Sequence, residues 1–192
     1  MTDRADVLLV VCELLASGRI VDATSTLNAD YPCSQLSTPR KPWALKRLVR
    51  VFLRDGHTDR YSGQRLVFPG TLRALSLLLE EAFPFHPNWK QSETHPAFWE
   101  LYPTIDHVVP VARGGADDES NIVTTSMVRN SAKSNWLLDE VGWSAELSPV
   151  AVGWDGLTGW FDRMTAHDRL RDDRVVNQWR KALRDAHVAL AG

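Results

Sequence analysis

With 192 residues, 44% of them hydrophobic and 24% charged, the chain has ordinary globular composition and is long enough to bury a core, which excludes a disordered or low-complexity protein. A formal net charge of −2 excludes a molecule that coats polyanions by overall charge, so any nucleic-acid affinity has to come from a local basic face. The two cysteines, Cys12 and Cys33, form no CxxC pair, and the apolar run 7–12 is cut short by Glu13 and Gly18. The expectation is a reducing, cytoplasmic compartment with no signal peptide, membrane span or structural zinc.

Thr2 and Asp3 are N-cap residues for a first helix carrying Val7, Val10, Val11, Leu14 and Leu15 at helical spacing and stopped by Gly18. A short second helix is predicted from Ile20 to about Asn28, and the proline-bearing stretch from Tyr31 to Pro42 reads as a connecting loop. Pro42 then opens a helix to about Arg54, with Leu45, Leu48, Val49 and Phe52 as its buried stripe. Lys46, Arg50 and Arg54 are spaced four apart on the other side, near Arg40, Lys41 and Arg47; they make either a solvated helix surface or a phosphate-contacting face.

A turn and a strand-like run over 60–70 precede a predicted helix from Thr71 to about Ala82. The segment from Phe83 to Pro103 holds four prolines and the rings of Phe85, Trp89, Phe98, Trp99 and Tyr102, the pattern of an irregular connection packed by its own aromatics. Beyond Trp136 the chain reads as helical, with Leu157, Trp160, Phe161 and Met164 in one element and Val176, Trp179, Leu183, Ala186 and Leu190 in the last. His57, His86, His95, His167 and His187 carry no pattern beyond packing or surface positions.

The stretch that carries chemistry is Pro103-Thr104-Ile105-Asp106-His107-Val108-Val109-Pro110, then Gly114-Gly115, Asn121-Ile122-Val123-Thr124-Thr125, and Asn130-Ser131-Ala132-Lys133. A β-branched strand, a glycine turn, a second short strand and a helix capped near Thr124 or Thr125 make a strand-strand-helix unit. Over residues 103–136 it resembles the HNH endonucleases, the ββα-metal or His-Me finger group, in their stand-alone bacterial or phage form without zinc-binding CxxC pairs. Many members end the motif in His where this chain has Asn130, and carry a CxxC pair near the position of Arg60-Tyr61-Ser62-Gly63.

The resemblance implies an α+β, mostly helical fold: a ββα-metal core with flanking helices. It divides the chain into an N-terminal helical region (1–56) that contacts nucleic acid, a nuclease core (57–143) and a C-terminal helical extension (144–192). It further implies His107 as general base, Asp106 and Asn130 as ligands of a divalent metal, Mg²⁺ or else Mn²⁺, and Asn121 as the residue that braces the loop and orients the histidine. Lys133 is placed to neutralise a phosphate oxygen, and Arg113, Lys46, Arg50 and Arg54 are the other expected nucleic-acid contacts. Such chemistry needs these residue types: a water must lose a proton as it attacks, and the phosphate gains negative charge that a hard cation on oxygen ligands can stabilise. The implied function is hydrolysis of DNA, with RNA open as a target and with phage defence, restriction or a mobile element as its setting. The rival is a nucleic-acid-binding or regulatory module that keeps the core only as a scaffold.

Overall fold

The structure, a computed structural model, describes residues 3–32 and 43–191. Cys33, the predicted loop over 33–42, the basic pair Arg40 and Lys41, and the helix start at Pro42 lie outside the described residues, as does Thr2. The chain divides into two compact units, Met1–Arg40 and Lys41–Gly192.

In the first unit α1 (Arg4–Ala16) packs against α2 (Ile20–Asp30). The Asp3 carboxylate caps α1 by accepting the Ala5 amide. Gly18 adopts φ +76° at its end, the left-handed turn that lets the Arg19 amide reach back to the Leu14 carbonyl.

The second unit is α+β. Its helices are α3 (Leu45–Arg54), α4 (Pro69–Leu78), α5 (Ala97–Glu100), α6 (Met127–Lys133), α7 (Thr158–Met164) and α8 (Arg174–Ala191). One two-stranded antiparallel sheet, β1 (Pro103–His107) with β2 (Ile122–Ser126), pairs Pro103 with Ser126 and His107 with Ile122. Among the described residues no helix is long and apolar enough to cross a membrane.

Several boundaries differ from the sequence expectation for local reasons. α4 begins at Pro69 rather than Thr71, because a proline at the first helical position costs no hydrogen bond, and it ends at Leu78, where Leu79 leaves the helical conformation. The strand-like run near 65 is reduced to a single bridge, Thr58 to Arg65. α6 is capped by Ser126, whose hydroxyl accepts the Arg129 amide, because Thr124 and Thr125 remain in β2. Residues 137–157 form turns rather than helix, and Leu157 sits ahead of α7 at φ +63°.

The main core joins α3, α4, α7 and α8 through Val49, Phe68, Ala74, Phe161, Val176, Trp179 and Leu183. Phe68 lies at its centre, edge-on to Phe161 at 5.2 Å and to Trp179 at 5.6 Å. The proline-rich connection packs as a second cluster, with Phe98 against Phe83, Phe85 and Trp89.

β2 is buried along its whole length, so the edge that does not face β1 needs hydrogen-bond partners. The segment after α3 supplies them. Asp55 accepts the Thr124 amide at 2.8 Å, Asp59 accepts the Ser126 amide at 3.0 Å, and the Arg60 amide donates to the Thr124 carbonyl. Both carboxylates are themselves buried and held by arginines, Asp55 by Arg54 and Arg60, and Asp59 by Arg129 at 3.6 Å. This polar spine fixes the strand that leads into α6.

Between the spine and the main core lies His57, 1% exposed, with its imidazole near Phe52 and Phe68 and its Nε2 without a partner. Gly156 packs directly on the ring, where a Cβ would stand 2.3 Å from the imidazole. Burial lowers the His57 pKa to about 4; the Asp155 charge opposes the shift without cancelling it. The unfolded chain therefore takes up a proton between about pH 6.5 and pH 4 that the folded protein does not. The stability from this site is complete above pH 6.5, falls as pH drops through that window by about 3 kcal/mol, and is level below it. Urea unfolding at pH 7 and pH 4.5 should show this slope in the wild type and a shallower one in His57→Asn, asparagine being tolerant of the positive φ of 48°. Equal slopes would refute it.

Candidate functional site

β1 ends at His107, and α6 lies across its last residues so that Asn130 and Lys133, one turn apart, both reach it. The Asn130 amide nitrogen donates to the Thr104 hydroxyl and the Ile105 carbonyl, each at 3.0 Å. The Lys133 ammonium donates to the His107 carbonyl at 2.7 Å and meets Asp106 Oδ2 at 2.8 Å. Asn130 and Lys133 are thus both bound along β1, Lys133 beside the Asp106 carboxylate, and His107 joins them through its backbone carbonyl.

Asp106 is buried, and its Oδ2 carries a second donor, the Tyr61 hydroxyl at 2.7 Å. Tyr61 comes from the turn after the polar spine; its ring leans on Trp143 at 5.5 Å. Burial, reinforced by the Asp106 charge, raises the phenol's pKa well above its ordinary value, so Tyr61 is a permanent donor. Lys133 is completely buried, and Asp106 is its counter-charge. It therefore acts on the carboxylate and the strand end rather than standing in solvent.

Tyr61 donates to Oδ2 and the Lys133 ammonium is paired with the same oxygen, so Oδ1 is the carboxylate oxygen left open on Asp106 among the described residues. In the same way the nitrogen of Asn130 is committed to the strand, which leaves its Oδ1. A carboxylate oxygen and a neutral amide oxygen are a hard donor pair that fits an ion such as Mg²⁺, which keeps most of its water shell. Among the described residues no group of three or more His, Cys, Asp or Glu side chains is placed to hold an ion.

His107 has a 12% exposed side chain, and its Nε2 lies 2.8 Å from Asp117 Oδ1. Asp117 belongs to the loop between the strands, and Asn121 closes that loop. The Asn121 side chain accepts the Val109 amide and donates to the carbonyls of Val109 and Ala116, all within 2.9 Å. Gly115 sits inside this closure, where a Cβ would fall 1.9 Å from the Val109 oxygen; no other residue fits without moving the loop.

The basic residues singled out in the sequence separate. Arg54 donates to the carbonyls of Glu119 and Ile122 and pairs with Asp55; the Asp55 hydrogen bond, with the charges of Asp55 and Glu119, raises its pKa against the opposing effect of burial. Arg50 and Arg47 face the Glu119 carboxylate at 3.6 and 3.8 Å. Lys46 is exposed and turns toward α8, near Asp185. Arg113 pairs with Glu140 at 2.7 Å, tying the loop to the segment after α6.

Tyr61 and Asp117 escaped the sequence reading. Asp117 carried a usable signal, a carboxylate in the glycine loop ten residues after His107. Tyr61, forty-five residues before its partner, carried none. Comparison with family models, with curated proteins and with solved structures finds no match to this chain.

Proposed function

We propose that the protein is a metal-dependent endonuclease of the HNH kind that hydrolyses phosphodiester bonds in DNA. What carries the reading is the junction of β1 and α6, where Asp106 with an open carboxylate oxygen and Asn130 with an open amide oxygen are both bound along the strand that ends in His107. His107 takes the proton of an attacking water through Nδ1, the ring nitrogen not engaged by Asp117. Tyr61 and Lys133 hold the Asp106 carboxylate in one orientation, and Asn130 is aligned by its two bonds to β1. A divalent ion would be held by the Asp106 and Asn130 oxygens and would supply positive charge to stabilise the scissile phosphate and the departing 3′ oxygen.

The rival reading, a binding module on an inactive scaffold, relied on the basic helix around Lys46, Arg50 and Arg54, of which Lys46 stays exposed. Arg54, Arg50 and Arg47 are engaged with Asp55, Glu119 and Ile122, which weakens it.

The test is a cleavage panel with supercoiled plasmid, single-stranded DNA and RNA, each with Mg²⁺, Mn²⁺ or EDTA. Cleavage of DNA that needs the metal is the expected result. Metal-dependent cleavage of RNA alone would transfer the assignment to ribonucleases, and salt-sensitive binding without cleavage would favour the scaffold.

A further inference from the structure

A general base works only when its ring presents the right nitrogen, and the closest polar neighbour of the His107 imidazole is a residue outside the motif. We propose that Asp117 is a positioning residue for His107: its carboxylate accepts the Nε2 proton and so fixes the ring in the tautomer whose Nδ1 lone pair is offered to water. The inference rests on the reading of His107 as the base and adds the group that orients it.

A carboxylate has only acceptors to offer, so across the 2.8 Å contact Nε2 must be the donor. A neutral imidazole protonated at Nε2 is unprotonated at Nδ1, and Nδ1 has no partner among the described residues. Asp117 itself is half exposed, and an exposed side chain orients another only if its backbone is held. Here it is held on both sides. The Ala116 carbonyl is bound by Asn121, and Gly114 at φ +88° turns the chain into that closure. After it, Asp118 caps the Ser120 amide, the Glu119 carbonyl is bound by Arg54, and the Glu119 carboxylate faces Arg47 and Arg50. The arginines of α3 thus anchor the loop that presents Asp117, which accounts for a basic helix side whose guanidinium groups point into the protein's own chain.

Two measurements on the 192-residue chain test this. In the first, ¹⁵N-histidine-labelled protein in EDTA buffer, brought to a pH beyond which the ring signals no longer change, gives the tautomer of His107 directly, the signal being assigned with His107→Gln. The Nε2-protonated form is expected in the wild type, a shift toward a tautomer mixture in Asp117→Ala, and retention of the wild-type form in Asp117→Asn, whose amide oxygen still accepts. An Nδ1-protonated wild type, or ring signals that do not move in Asp117→Ala, overturns the proposal. This readout needs neither substrate nor metal, so it can succeed where the nuclease reading fails, and fail where that reading succeeds. In the second, Asp117→Ala should lower kcat by roughly 10–100-fold, the usual effect of losing the partner of a site histidine, with KM unchanged because Asp117 does not touch substrate. A wild-type kcat, or a loss confined to KM, overturns the catalytic role.

Discussion

Replacing His107 by alanine should slow metal-dependent DNA cleavage by about 10²–10⁴-fold, the usual contribution of a general base, while leaving the fold in place. The second half of that expectation comes from how the residue is built in. Its backbone carbonyl, not its ring, receives the buried Lys133 ammonium, and its position in β1 is set by pairing with Ile122. The ring's one side-chain hydrogen bond goes to an exposed carboxylate, so alanine costs the packing of a largely buried ring but leaves the pairing of the strand intact. A plasmid-nicking time course beside a urea unfolding curve checks both halves. Added imidazole should restore part of the rate in His107→Ala by supplying the missing base from solution, which a variant damaged in its fold would not allow. Cleavage at the wild-type rate would remove His107 from the role, and a lost unfolding transition would mean that the ring supports the fold.

The contrast between a ring whose partner is an exposed carboxylate and a carboxylate whose partner is a buried lysine also shows where sequence reasoning succeeded. Elements set by local pattern lie close to their expected places: the β-branched run ending in Asp106 and His107 is a strand, Asn121 stands at the start of the second, and the helix carrying Asn130 and Lys133 follows. These features depend on contacts within about thirty residues of chain. Hydrophobic periodicity likewise located α8 through Val176, Trp179, Leu183 and Ala186. What stayed hidden depends on distant pairings. Asp55 and Asp59 are ordinary helix-end and turn residues by local rules, yet they complete the outer edge of β2 from nearly seventy residues away. Lys133 looks like a surface residue because lysines usually are; the Asp106 carboxylate and the His107 carbonyl, both supplied from β1, make its burial tolerable. The α3 basic stripe failed to divide for the same reason, since helical spacing reports which residues share a side and not what that side meets.

Burial of Lys133 yields the second large expectation. Asp106→Ala should destabilise the protein by about 3–5 kcal/mol, because removing one partner of a buried ion pair strands the other charge away from water. Asp106→Asn offers no escape: with the Tyr61 hydroxyl donating to Oδ2 and the Lys133 ammonium beside it, an amide must either turn its own donor toward them or give up the oxygen left open on the other side. The double variant Asp106→Ala, Lys133→Met should recover most of the loss, since methionine fills much of the lysine's volume without a charge, and the difference between the double and the sum of the singles measures the coupling. Urea midpoints of the four proteins decide the matter; a midpoint for Asp106→Ala equal to that of the wild type would show that Lys133 finds water or another acceptor. The consequence for function follows directly. Loss of cleavage in Asp106→Ala mixes a missing ion ligand with a weakened strand end. Asn130→Ala removes only a half-buried amide and two neutral hydrogen bonds, a cost of about 1–3 kcal/mol at most. A rightward shift of the Mg²⁺ titration in Asn130→Ala, at a temperature where it is fully folded, is therefore the cleaner sign that these two oxygens hold the ion.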